Sequence, residues 1–143
     1  MTPARLRRFF AALLVAFGAL GLAPIAWGGS YLDRAALMLD EARREGDMLQ
    51  PRTHDKEMVL VVKTLTEARA KVGRKMEVPA AVARAHPHLL LVLENCERAA
   101  QAADDGNFKK FMEHLTTARD EEKIFRSLLG ELGYSLPEIT SKR

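Results

Sequence analysis

Apolar residues recur at intervals of three and four along most of this chain, and this period constrains the fold more than any other feature. It predicts four amphipathic helices, at about residues 30–48, 53–72, 86–103 and 108–132. Met58 to Val62 also suits a strand by propensity, but the helical period that continues to Val72 favours a helix. The sequence therefore predicts an all-α fold.

Residues typical of helix ends separate these segments. Ser30 and Asn107 are predicted N-caps, because their side chains can accept a hydrogen bond from a backbone N–H of the first turn. Gly46, Gly73 and Gly133 are predicted stops, since glycine is the usual residue just beyond a helix. Short links between helices of similar length favour an antiparallel up-down-up-down four-helix bundle.

Each predicted helix has one apolar face, which we expect to point into the bundle. These inner faces comprise Leu32, Ala35, Leu39 and Ala42 in the first helix, Met58, Val61, Val62, Leu65, Ala68 and Val72 in the second, Leu89, Val92, Leu93, Cys96, Ala99, Ala100 and Ala103 in the third, and Phe108, Phe111, Met112, Leu115, Ile124, Phe125, Leu128 and Leu129 in the fourth. Cys96 is the only cysteine, so the fold must be stabilised by packing rather than by a disulfide.

The first 28 residues have the layout of a secretory signal. Arg5, Arg7 and Arg8 precede an apolar run over residues 9–27, and Ala26-Trp27-Gly28 provides small residues before a cut. Cleavage after Gly28 would leave a bundle over 29–133, a flexible tail over 134–143 and no stable membrane insertion. The alternative is an uncleaved membrane anchor. The prediction is a periplasmic or secreted protein.

The charge of the chain does not favour a nucleic-acid partner. The formal net charge is +3 at pH 7. Arg5, Arg7 and Arg8 of the predicted signal supply that excess, which leaves the remaining chain near neutral. Nucleic-acid-binding domains usually present a basic face, and none is evident here.

One polar layer is a candidate ligand or metal site. If Asp104 and Asn107 face each other across the last turn, the helical rise brings His88, Glu122, Asp33 and Arg69 to about the same height in the bundle. His88, Glu122 and Asp33 could bind a cation or polar ligand while Arg69 balances charge. The competing interpretation is that the four side chains form solvated salt bridges at the edge of the apolar faces.

Haem is disfavoured as a cofactor. The covalent type requires two cysteines and a histidine in one motif, which a lone Cys96 cannot supply. The chain resembles the non-covalent periplasmic cytochrome bundles in size and class, and in that family a Met on the first helix and a His near the end of the last bind the iron. Here Met38 and His114 would lie ~15 Å apart by helical rise.

No motif in the sequence indicates catalysis. The Glu-x-x-His motif of di-iron bundles, the His-Glu-x-x-His zinc motif, a phosphate loop and a nucleophile turn are all missing from the sequence. We therefore predict a non-enzymatic, exported helical-bundle protein of the cell envelope that acts by binding an envelope protein or by self-association. The alternative is a small periplasmic bundle that binds a metal or ligand through the polar layer.

Overall fold

The computed structural model describes residues 25–140 of the chain. They form four α-helices, α1 (Ile25–Leu49), α2 (Lys56–Arg74), α3 (His86–Asp104) and α4 (Phe108–Glu131), with short 3₁₀ turns at Gln50–Arg52 and Ala80–Val82. No strand occurs in this part of the chain, so the all-α prediction is confirmed. The predicted signal lies outside the described residues except for 25–28, which form the first turn of α1.

Side-chain caps and a glycine turn set several helix ends. The Asp55 side chain accepts a hydrogen bond from the Met58 backbone N–H at 3.1 Å and caps α2. Asn107 caps α4 as predicted, accepting from the Lys110 N–H at 3.0 Å. Gly133 has a φ of 85°, which ends α4 in the left-handed conformation that glycine adopts without strain.

Gly46 and Gly73 both come before the ends of their helices. The predicted stop at Gly46 is wrong, since α1 continues to Leu49, and α2 ends at Arg74, one residue beyond the predicted stop at Gly73. Both lie inside helices and are buried at helix contacts. A Cβ on Gly46 would lie 3.1 Å from Leu115 Cδ2, and one on Gly73 would lie 2.5 Å from Leu93 Cδ1. The missing side chains let α1 approach α4 and let α2 approach α3.

Polar contacts show how neighbouring helices are oriented. In each helix pair, the residue numbers of successive contacts rise along one helix and fall along the other. Between α3 and α4 the contacts are His88 with Glu121 and Asn95 with His114, and between α2 and α3 they are Lys63 with Asp104 and Arg74 with Glu97. Between α1 and α4 they are Arg43 with Glu122 and Asp47 with Arg119. In each of these three pairs the helices run in opposite directions.

The buried apolar residues form two clusters, one towards each end of the helices. The first includes Tyr31, Leu39, Leu89, Phe125 and Leu129. The second includes Leu49, Val59, Val62, Phe111 and Leu115. The predicted inner face of α3 is buried in full, and that of α1 is buried except for the half-exposed Leu32. Leu136, beyond α4, packs against the first cluster.

The predicted inner face of α2 is largely wrong. Val61, Leu65 and Val72 are 57%, 44% and 44% exposed. The buried side of α2 consists of Val59, Val62, Thr66, Arg69, Ala70 and Gly73. This side is less apolar than the predicted one, but its small residues allow close packing on α3, and Arg69 forms ion pairs with α1.

Two residues of α4 also point outward against prediction. Phe108 is exposed because it is the first residue of the helix and lies at the edge of the packed region. Ile124 is exposed because the next residue, Phe125, occupies the core, and successive helical side chains point about 100° apart.

Candidate functional site

The structure does not bring the four residues of the predicted polar layer together. Asp33 is exposed on α1. The His88 imidazole lies with Nδ1 2.6 Å from Oε2 of Glu121, so α3 and α4 meet here one residue away from the predicted neighbour, Glu122. That shift matters, because adjacent residues of a helix point in different directions and Glu122 therefore faces α1.

Glu122 is the most deeply buried acid of the described chain, with 3% of its surface exposed. One carboxylate oxygen accepts a hydrogen bond from Arg43 on α1 at 3.0 Å. The other accepts two from Arg126, at 3.1 and 2.9 Å. Both oxygens are thus used in bonds within the protein, and the two arginines balance the buried negative charge.

Arg69 is the corresponding buried base on α2. Its guanidinium donates to both carboxylate oxygens of Glu45 at 2.7 Å and to Glu41 at 3.3 Å. Burial lowers the pKa of Arg69, but the hydrogen bonds and charges of the two glutamates outweigh burial, and the net pKa is raised. This bidentate geometry joins α1 to α2 and keeps the arginine charged.

The described residues do not form a set of ligands for the metal ion that the alternative interpretation requires. Among residues 25–140, no three His, Cys, Asp or Glu side chains lie close enough together to hold a metal ion. His88 pairs with Glu121, while Glu122 pairs with arginines that would compete with a cation. Nor does the described region contain a buried side-chain nitrogen or oxygen without a hydrogen-bond partner.

The remaining histidines of the core region are also paired. The Tyr31 hydroxyl lies 2.9 Å from Nδ1 of His86. Burial raises the pKa of Tyr31 and lowers the pKa of His86, which favours a Tyr31 hydroxyl that donates to a neutral imidazole. His114 Nδ1 lies 3.1 Å from the side-chain oxygen of Asn95. These contacts connect helices, and none of them leaves a reactive group at a cleft.

Cys96 lies within the core on α3. Burial raises the pKa of its thiol to about 11, although Arg119 and Arg69 partly oppose the shift. At neutral pH the sulfur is therefore protonated, and the thiolate needed for nucleophilic chemistry is scarce. The position of Cys96 is that of an inert core residue.

The most distinctive surface of the described chain is apolar. Five residues on one side of α2 form what we call the outer stripe: Met58, Val61, Leu65, Ala68 and Val72. All but the half-buried Met58 are exposed. Leu65, Ala68 and Val72 of the stripe also form one wall of an open groove of about 340 Å³ between α1 and α2.

The groove combines apolar walls with charged margins. Leu37 and Met38 of α1 face Leu65 and Val72 of α2 across it. Leu37 is itself 47% exposed. Arg34, Glu41 and Arg69 also line the groove. Apolar walls with charged margins resemble the apolar centre and polar rim found in protein interfaces.

The residues of the outer stripe are among those that the sequence predicts to face the core, and the structure places them outside it. The useful signal was the spacing, since Met58, Val61, Leu65, Ala68 and Val72 follow steps of three and four alternately. A narrow stripe with this period is typical of a coiled-coil contact, whereas a core-facing helix has a wider apolar face.

Comparison with other proteins does not identify a relative. No protein-family model, curated protein or solved structure matches the chain. Within residues 25–140, none of the helices is both long enough and apolar enough to span a bilayer.

Proposed function

We propose that this chain is an exported, non-enzymatic protein of the cell envelope that acts by binding protein surfaces through the outer stripe and the adjoining groove. Its working form is an antiparallel up-down-up-down four-helix bundle over residues 29–133. The single observation that supports binding best is the exposure of Val61, Leu65 and Val72 in one line on α2. Contiguous apolar patches on otherwise polar proteins usually mark interaction sites.

Removal of the apolar stripe from water would stabilise the protein. Each apolar Å² removed from water contributes about 25 cal/mol. The fold buries Arg69 on α2 and leaves Leu65 and Val72 outside, although they are more apolar. Covering these side chains with a partner would recover stabilisation that folding alone does not provide.

The proposed location is supported by the N-terminal sequence. Arg5, Arg7 and Arg8 precede a long apolar run, and the small residues Ala26 and Gly28 flank Trp27 before the predicted cut. The partner would then be an envelope protein or another copy of this chain.

Thiol labelling in intact cells tests whether a partner covers the stripe. We would compare Leu65→Cys with Lys123→Cys, a control on the exposed surface of α4. In cells, we expect a maleimide to label Leu65→Cys several times more slowly than in the purified, diluted protein. Lys123→Cys should label equally fast in both. Cys96 adds little background because it is buried.

Equal labelling of Leu65→Cys in cells and in dilute solution would contradict the proposed function. Thermal unfolding followed by circular dichroism would verify that both variants retain the fold. Leu65 is exposed, so its replacement should not create a core cavity.

A further inference from the structure

We propose that the outer stripe binds a second copy of this chain, with the two α2 helices packed side by side in opposite directions. This inference rests on the proposed function, because it names the partner of the same surface. A symmetric dimer requires a surface that is complementary to itself when rotated by 180°. The stripe and its flanking charges meet that requirement in one particular register.

The spacing of the stripe supports a helix as the occupant. Met58, Leu65 and Val72 are separated by whole heptads, and Val61 and Ala68 fall between them. These are the a and d positions of a heptad repeat, whose side chains insert between those of a facing helix. The stripe extends over two heptads, or about 21 Å along α2.

Charges beside the stripe select the antiparallel orientation. Glu57 and Lys71 lie on the same flank of α2, two heptads apart, and both are exposed. The ion pairs within residues 25–140 include neither of them. If the helices run in opposite directions, Glu57 of each copy lies beside Lys71 of the other. A parallel dimer would instead place each g position beside an e position of the other helix, so Glu57 and Lys71 would not pair with each other.

The same register matches side-chain sizes across the contact. It places Leu65 opposite Val61 of the second copy and Met58 opposite Ala68. The long Met58 side chain thus meets the smallest residue of the stripe. Leu37 of α1 extends the apolar surface beside Val72. Because this contact is short, we expect a reversible dimer with a dissociation constant on the order of micromolar.

Crosslinking of single cysteines distinguishes the two orientations. Thr64 is exposed on the same flank, midway between Glu57 and Lys71, so the twofold axis brings Thr64 of one copy next to Thr64 of the other. We expect a short bismaleimide to join two copies of Thr64→Cys. It should not join two copies of Lys71→Cys, because these positions lie about 21 Å apart along the helices.

A charge exchange tests the register without changing the apolar stripe. Glu57→Lys and Lys71→Glu each place like charges together at two symmetric sites, and each should raise the dissociation constant about tenfold. The double variant restores opposite charges and should return the constant close to that of the unaltered chain. Analytical ultracentrifugation measures the dimer, and thermal unfolding verifies that each variant is folded.

The outcomes separate this inference from the proposed function. A chain that stays monomeric at high micromolar concentration, or efficient crosslinking of Lys71→Cys, would overturn the antiparallel dimer. If Leu65→Cys were nevertheless protected from maleimide in cells, a different protein would cover the stripe, and the proposed function would stand. Free labelling of Leu65→Cys in cells would overturn the proposed function itself.

Discussion

At the scale of single residues, the ion pair between Arg69 and Glu45 shows how the fold accommodates charge in its interior. The Glu45 side chain is only 13% exposed, so removal of Arg69 would leave its carboxylate without a counter-charge. We expect Arg69→Met to lower the free energy of unfolding by about 3 kcal/mol. Urea unfolding measures this change.

A second substitution identifies the cause of that loss. Arg69→Met combined with Glu45→Met removes both charges and should recover most of the stability, because no unpaired carboxylate then remains in the interior. Glu41 is half-exposed and can be solvated in the double variant. If the double variant were no more stable than Arg69→Met alone, lost packing around the arginine would be the cause instead.

His86 should make stability depend on pH. Burial lowers its pKa from the ordinary value of 6.5, so the folded chain binds a proton less readily than the unfolded chain does. The contribution of neutral His86 to the free energy of unfolding is therefore complete above pH 6.5. This contribution is lost as the pH falls below that value towards the lowered pKa of the folded state. Urea unfolding between pH 7.5 and pH 5, taken at intervals of about half a unit, would follow the loss.

The matched controls for this pH effect are His86→Gln and His54→Gln. His54 is exposed, so its replacement should leave the pH dependence unchanged. His86→Gln should flatten the curve in this range. An unchanged slope in His86→Gln would assign the effect to another group.

Among the helices, we expect the same substitution at two glycines to change the free energy of unfolding in opposite directions. Gly73→Ala places a methyl group against Leu93, which is almost completely buried, and should cost about 1 to 2 kcal/mol in the free energy of unfolding. Gly130 of α4 faces open space, so Gly130→Ala should stabilise the protein by about 0.5 kcal/mol through helix propensity. Chemical unfolding of both variants measures the contrast. A stabilised Gly73→Ala would show that α2 can move away from α3 without cost.

The helices also show what periodicity can and cannot predict. In α3 the predicted apolar face is buried in full, and Leu91 is the large apolar residue that lies exposed outside it. In α2 apolar residues occupy more than one side, and the choice between Val61 and Val59 depended on contacts distant in sequence. The pairing of Arg69 with Glu45 and the fit of Gly73 against Leu93 are such contacts. No local pattern encodes them.

The candidate site was predictable only in part for the same reason. The predicted pairing of His88 with Glu122 is correct to within one residue, since His88 lies beside Glu121 and a short turn fixes how α3 meets α4. The direction of Glu122 was not, since one residue of error turns a side chain by about 100°. The predicted polar layer is therefore divided: His88 bonds to Glu121, Glu122 and Arg69 form ion pairs on different sides of the helices, and Asp33 is exposed.

For the molecule as a whole, the proposed export and the proposed binding depend on different parts of the chain. Residues 1–24 precede the described helices, and the predicted cut after Gly28 falls in the first turn of α1. The buried residues of α1 begin no earlier than Tyr31 among those with described side chains. Loss of residues 25–28 would thus leave the described core contacts in place, and a cleaved protein could keep the outer stripe available.

The N-terminus of the recovered protein tests the predicted cleavage after Gly28 directly. We expect the protein recovered from the extracytoplasmic fraction to begin at Gly29, because Ala26 and Gly28 provide the small residues that signal cleavage requires. Intact-mass measurement would identify the new terminus. Ala26→Arg should block the cut and leave the chain attached to the membrane, whereas Asp33→Ala, beyond the cut on an exposed part of α1, should be processed normally. Full-length chain in the membrane fraction without any substitution would instead favour the uncleaved anchor, with the helices held at the membrane surface.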